Sequence, residues 1–240
     1  MDTYLLYISE WAGAVAVAMI AGISLRFKRS RLVFKYPRRE GVVALGVFAF
    51  IMLLAIILVN MAPFSILGLP VDLSQRIFLA VAGLVPVGVA LWRRKQPVRS
   101  AGWPRDKLSA ALQLGLALAF LTIFLRGKFT ALLNGLNGSE LEMLGFLLVA
   151  ALLEETTFRG YIQPRLAAWW GEAPGWLATA GFFVLWQLPF LLLGAPETLP
   201  TNLLIAGAQS LVASYIMQRC HHVLSPAVYR AVSGWLFFVQ

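Results

Sequence analysis

Long apolar runs alternate with short polar connectors along almost the whole chain. Runs of roughly 17 to 25 residues are long enough to cross a hydrocarbon core of about 30 Å as helices. The pattern predicts eight spans, approximately Leu5 to Leu25, Val42 to Met61, Ile77 to Trp92, Leu108 to Leu125, Leu141 to Ile162, Trp176 to Leu193, Leu203 to Met217 and Val223 to Val239. Helices rather than barrel strands are expected, so the predicted fold is all-α, a polytopic membrane helix bundle. Among the connectors, "PVRSAGWPRDK" reads as a loop that ends where Pro104 and Asp106 start the fourth helix. "RGKFTALLNGLNGSE" predicts a short surface helix followed by an Asn-Gly turn, and Pro174 with Gly175 breaks the chain before the sixth span. No long polar linker, repeat or low-complexity segment interrupts the chain, which is read as one domain over 1–240. Within it 1–125 reads as scaffold helices, with almost nothing ionisable inside the spans, and 141–239 as the core that holds the unusual residues.

Composition supports the membrane reading: 60% of the 240 residues are hydrophobic and 13% are charged, outside the range of soluble domains. The net charge of +9 matters mainly through its distribution. Seven basic residues lie between Arg26 and Arg39 and six between Arg93 and Lys107, whereas the alternate connectors hold Arg76, then Arg126 and Lys128, then none. Lysine and arginine are retained on the cytoplasmic side, so both termini are predicted to be non-cytoplasmic. The first span follows Asp2 and Glu10 rather than a basic region, and reads as a retained helix rather than a cleavable signal. Basic residues in short segments beside spans are explained by topology and by attraction to membrane lipids, the one partner class expected from charge; no nucleic-acid partner is expected. The single Cys220 excludes an internal disulfide and a cysteine metal cluster.

Against this background "ALLEETTFRGYIQ", Ala151 to Gln163, puts two carboxylates and an arginine inside a predicted span. A charge at helix centre costs about 2.5 to 3.5 kcal/mol on insertion scales, so such residues point to a functional site. Glu155 and Arg159 are four apart and share a helical face, while Glu154 is rotated by about 100° and is free to face a cavity. A carboxylate in that setting is suited to take a proton from water. Two other readings stay open: a buried ion-pair cluster that fixes helix packing, and a transporter site using Glu154 and Glu155.

"EETTFRG", Glu154 to Gly160, resembles the Glu-Glu-x-x-x-Arg motif of the CPBP family, the group of CAAX prenyl endopeptidases and bacteriocin-processing, Abi-type proteins. Phe158, Arg159, Gly160 and Tyr161 fit its common form Glu-Glu-x-x-Phe-Arg-Gly-Tyr, and "IQPRLAAWW" and "GFFVLW" are also similar to the family. The resemblance covers roughly Gly145 to Gly234 and implies a helical membrane endopeptidase of a bacterial or archaeal plasma membrane. In such an enzyme the first glutamate and a histidine on the next span activate water. A later histidine, followed four residues on by asparagine, stabilises the oxyanion.

Carried over residue by residue, both histidines are replaced. Phe-x-x-x-His aligns with Phe183 to Gln187, and the last motif with "SPAVYRAVSGW", where Arg230 and Gly234 stand for the histidine and asparagine. Gln187 can hold a water but cannot take its proton at neutral pH. Arg230 can stabilise an oxyanion, yet beside two glutamates it is expected to pair with one, giving a neutral quartet of Glu154, Glu155, Arg159 and Arg230. His221 and His222 read as interface residues, and no metal or other cofactor is expected.

The catalytic candidates implied are therefore Glu154, Glu155, Arg159, Gln187 and Arg230, with Phe183, Trp186 and Asn202 as substrate-binding candidates. Gln209 and Ser210 read as interhelical hydrogen-bonding residues. Trp169, Trp170, Trp176 and Trp235 suit membrane interfaces. Two function classes follow: an endopeptidase for membrane-associated or prenylated peptides whose activity is weakened or lost, and an inactive relative that binds a lipidated or transmembrane peptide or partner.

Overall fold

A computed structural model describes residues 3–27, 33–66, 68–193 and 195–239. Within the predicted connector from Arg26 to Arg39, residues 28–32 lie outside this description, as does Asp2. The described residues form helices and connecting turns, with no strand among them. In chain order the α-helices are α1 (Thr3–Ile23), α2 (Pro37–Val59), α3 (Val71–Arg93), α4 (Leu108–Leu125), α5 (Phe129–Leu133), α6 (Gly138–Glu155), α7 (Gln163–Trp170), α8 (Glu172–Leu191), α9 (Leu199–Cys220) and α10 (Leu224–Trp235). Four of them are long and apolar enough to cross a membrane, over Tyr4–Ile23, Pro37–Val59, Leu73–Arg93 and Arg105–Leu125. The chain is thus an integral membrane protein of all-α class.

Several sequence expectations change in the folded chain. The third helix begins at Val71 rather than Ile77, just after Pro70, so Arg76 lies inside α3 and not in a connector. Ser74 and Gln75 are buried beside it; the Ser74 hydroxyl accepts from Ile66 N–H and donates to Leu69 C=O. The predicted fifth span does not continue as one α-helix. After Glu155 the backbone widens into a π segment, Thr156–Ile162, before α7. α10 has 12 residues, about 18 Å at 1.5 Å per residue, and lies buried between α4, α6 and α9. Trp235 is also buried there, donating to Glu140 C=O at 2.7 Å, rather than sitting at an interface. The connector helix appears as α5, and Asn137 and Glu140 form a capping box that starts α6.

Three apolar clusters support this arrangement. One joins α2, α3 and α8 to the π segment through Ile51, Leu79, Phe158 and Trp186. A second joins α4, α6 and α10, and a third joins α1, α4 and α9. The loop before α4 packs directly on the π segment because Gly160 has no side chain. A Cβ there would collide with the Ala101 carbonyl and come within 2.9 Å of Val223 Cγ1. Trp103 Nε1 donates to the Thr156 hydroxyl at 3.0 Å across the same contact.

His222 is buried in the turn between α9 and α10, contrary to an interface position. Its Nδ1 accepts the Leu224 N–H at 3.0 Å and its ring meets Trp103 edge-on. Burial holds its pKa down at about 4; Asp106 opposes this shift and Lys107 adds to it. The unfolded chain therefore binds this proton more readily than the folded one. The stabilisation is complete above the ordinary histidine value of about 6.5 and is lost as pH falls from there through 4.

Two outcomes are expected from thermal unfolding in detergent micelles. Gly160→Ala lowers stability by about 1–3 kcal/mol because backbone must move, whereas Gly181→Ala, with open space at its Cβ, does not. Between pH 6.5 and 4 the wild type loses stability, and His222→Gln flattens this part of the profile; an unchanged slope would refute the assignment.

Candidate active site

The two glutamates of the motif end α6, and the π segment follows at once. Both side chains are buried at the junction of α3, α6, α8, α9 and α10. Burying carboxylates in low dielectric costs several kcal/mol per ion unless they are paired and hydrogen-bonded. Three arginines from three elements supply those partners.

Glu154 is held on both oxygens. Arg76 of α3 donates from Nε to Oε1 at 2.5 Å and from NH2 to Oε2 at 2.8 Å, a two-pronged contact. Arg230 of α10 approaches the same Oε2 at 2.9 Å through its NH2. Its NH1 donates to Glu155 Oε1 at 2.6 Å. Arg159 NH1 lies 3.2 Å from that Oε1, one turn along the chain, while Glu155 Oε2 has no hydrogen-bond partner among the described residues.

Arg159 is fully buried and is fixed from α9. It donates to the Ser214 hydroxyl at 3.2 Å, the Ser210 hydroxyl at 2.7 Å and the Ser210 carbonyl at 3.1 Å. Ser210 donates onward to Ala180 C=O of α8, and Gln163 Nε2 donates to Ser214 C=O. The guanidinium carbons of Arg159 and Arg230 lie 4.3 and 4.2 Å from the Phe183 ring centroid. Phe183 thus gives two adjacent cations a negative π face, which offsets part of their repulsion.

The predicted neutral quartet does come together, but Arg76 joins it as a fifth member. Two carboxylates against three arginines, −2 + 3, leave one positive charge among these side chains. Arg76 was not anticipated because its polar neighbours made the start of α3 read as a connector. The run from Asp72 to Arg76, directly after Pro70, is compatible with a first helical turn and was the available signal. Ser210 joins helices as its sequence reading predicts, whereas Ser214, four residues on along α9, was a second unread signal.

The other candidates stand in different places. Trp186 is buried against Phe158 and Phe183. Gln187, next to it on α8, is half-buried and takes no part in the charge cluster. Asn202 bonds within its own first turn, to the Thr198 hydroxyl at 3.3 Å. Gln209 does join helices, donating to Ser233 at 2.9 Å.

A cavity of about 700 Å³ reaches the π segment from the side of the basic connectors, with Arg99, Arg159, Gly160, Gln163 and Gln218 in its wall. Gln163 Oε1 is buried and has no hydrogen-bond partner among the described residues. Neither Glu154 nor Glu155 lines it. A divalent cation does not suit the centre: its carboxylates already face three guanidiniums, and no three His, Cys, Asp or Glu converge among the described residues.

The scaffold helices also carry buried charge. Glu10 of α1 accepts from Ser233 of α10 at 2.7 Å and lies 3.6 Å from Arg126. Glu40 of α2 is paired with Arg94 and with the fully buried Arg165 of α7.

The family described as type II CAAX prenyl endopeptidase Rce1-like matches residues 137–236, from the cap of α6 to the end of α10. No curated protein and no solved structure matches the chain.

The charge count yields an ordered prediction for unfolding measurements. Glu154→Gln raises the buried excess from +1 to +2 and is expected to cost about 3–5 kcal/mol, the usual range for breaking a buried pair. Arg230→Gln removes the excess and leaves each carboxylate one arginine, so its cost is smaller. The reverse order would refute the cluster as drawn.

Proposed function

We propose that this chain, which residues 137–236 relate to the type II CAAX prenyl endopeptidases, keeps the architecture of a membrane endopeptidase but uses it to bind a membrane peptide rather than to cut one. The observation that carries this reading is the state of Glu154. It aligns with the family's water-activating glutamate; both its oxygens accept from Arg76, and Arg230, which stands where the motif has histidine, pairs with it at 2.9 Å. A general base needs an accessible lone pair and a place for the proton. Here the lone pairs are engaged and the neighbours are permanent cations.

In this reading α6 with the π segment, α8 and α9 cross the membrane beside the first four helices, α10 is a buried plug, and both termini lie on the face opposite the basic connectors. The substrate class of the family, a lipidated or transmembrane peptide, becomes the ligand class. Its polar end enters the cavity of about 700 Å³, whose wall includes Arg99, Gln163 and Gln218. Gln187 contributes no base.

The test uses purified full-length protein in liposomes with a prenylated CAAX peptide and a generic transmembrane peptide. The wild type is expected to bind at least one of them without cleavage. Gln187→His combined with Arg230→His is expected to restore cleavage at least about 100-fold above wild type, the lower range for general acid–base catalysis. That gain should vanish with Glu154→Ala. Wild-type cleavage that resists chelator and is lost in Glu154→Ala would overturn the proposal and establish an active glutamate-dependent protease.

A further inference from the structure

A second cavity, of about 480 Å³, opens beside the start of α2 and the loop after α3, and Glu40, Arg94, Gln96 and Arg99 are in its wall together with Lys35. Its charge is one-sided. Lys35, Arg94 and Arg99 face it, and Arg165 lies directly behind, bonded to Gln96 Oε1 at 2.5 Å and to Glu40 Oε2 at 3.2 Å. Four cations against the single Glu40 leave +3, and Glu40 is already shared between Arg94 and Arg165. Lys35 and Arg99 are exposed, and no carboxylate pairs with either among the described residues. α2 begins in the same wall without a side-chain cap, so its first N–H groups add partial positive charge.

The floor of this cavity is built rather than incidental. Arg165 is fully buried, stacks 3.6 Å from the Tyr161 ring centroid and donates to the carbonyls of Ser100 and Tyr161 at 3.0 and 2.9 Å. Gln96 Nε2 donates to Glu40 at 2.9 Å, which turns the loop after α3 back onto α2. Glu40 holds Arg94 in the same wall, while Arg99 pairs with no carboxylate among the described residues.

Position selects the ligand. α2 begins here and α3 ends here, and both are among the four helices suited to crossing a membrane. The cavity therefore sits where a bilayer presents its headgroups. Its surroundings are apolar and aromatic: Val33, Tyr36, Trp92 and Val98 are all more than half exposed, Trp92 at 79%. Aromatic residues of this kind mark the membrane–water boundary. A soluble polyanion would gain nothing from that apolar rim, whereas a lipid would use it for its glycerol and upper acyl carbons.

We propose that this cavity binds the phosphate of an anionic phospholipid headgroup, with Arg94 and Arg99 as the principal donors and Lys35 closing the site. The assignment does not depend on whether the glutamate centre cleaves or binds peptides. It concerns a different cavity and different charges.

The test counts lipids retained by the full-length protein, by native mass spectrometry from micelles doped with phosphatidylglycerol or phosphatidylcholine. The wild type is expected to retain phosphatidylglycerol preferentially. Lys35→Gln with Arg99→Gln should reduce that preference by roughly 25-fold, about fivefold for each basic residue lost at a membrane surface. Arg93→Gln with Lys95→Gln, exposed residues next to the cavity but not lining it, remove the same formal charge and should lower the preference by clearly less. Equal losses in the two pairs would overturn the site in favour of diffuse surface attraction. Inorganic phosphate is run as a separate arm: displacement of the lipid at low millimolar phosphate would assign the cavity to the free ion and overturn the headgroup assignment.

Discussion

Everything in the centre of this bundle follows from one constraint: two carboxylates taken out of water must be neutralised where they stand. Moving such an ion into a low-dielectric interior costs about 20 kcal/mol in the idealised limit and several kcal/mol after relaxation. No single helix can supply enough donors at the right angles. The chain draws Arg76 from α3, Arg159 from the π segment and Arg230 from α10, then anchors Arg159 on Ser210 and Ser214 of α9. The register of five elements is thereby tied to one pair of side chains. It also accounts for α10, a short polar-bearing helix that sits wholly inside the bundle and carries Arg230 to both glutamates.

The same constraint governs chemistry. A carboxylate that accepts two N–H bonds from one arginine and pairs with a second is well suited to hold helices together and poorly suited to accept a proton from water. In a histidine-bearing centre the partner can take and release a proton, so the site can cycle. Arginine cannot, and its planar fork favours the static two-oxygen contact that Glu154 makes with Arg76. Phe183, the first residue of the Phe-x-x-x-His pattern, remains and stacks on the two guanidiniums, while Gln187 at the histidine position stays outside the cluster. On the proposed reading, a proton-transfer group has given way to a fixed charge at Arg230 and to a neutral amide at Gln187.

Hydropathy made the long helices α1, α2 and α4 legible, since each carries a long apolar run, and membrane cost alone singled out Glu154, Glu155 and Arg159. What it concealed were polar residues that fold inward. Ser74, Gln75 and Arg76 resemble a connector to any hydropathy window, yet in α3 they are buried or paired with partners far away in sequence. The π segment was hidden for a different reason. Its backbone packs at Gly160 against the Ala101 loop, a contact between residues 59 apart by number (160 − 101), and local periodicity carries no trace of it. Trp235 was misplaced because an indole suits both an interface and a core; a buried acceptor, the Glu140 carbonyl, decided between them.

A last consequence concerns where the functional unit begins. Residues 137–236 carry the family match, and helices before them read as scaffold. The buried charges contradict a simple division. Arg76 of α3 neutralises Glu154, Glu40 of α2 neutralises Arg165, and Glu10 of α1 receives the Ser233 hydroxyl of α10. Each of three early helices completes a polar group in the matched segment that would otherwise be buried without its partner. A fragment starting at residue 137 would leave Arg165 without its carboxylate and Glu154 short of its two-pronged arginine, at a cost of several kcal/mol for each broken pair, comparable in sum to the whole stability of a typical domain. The early helices are therefore part of the site's electrostatics, and the centre is a property of the complete bundle.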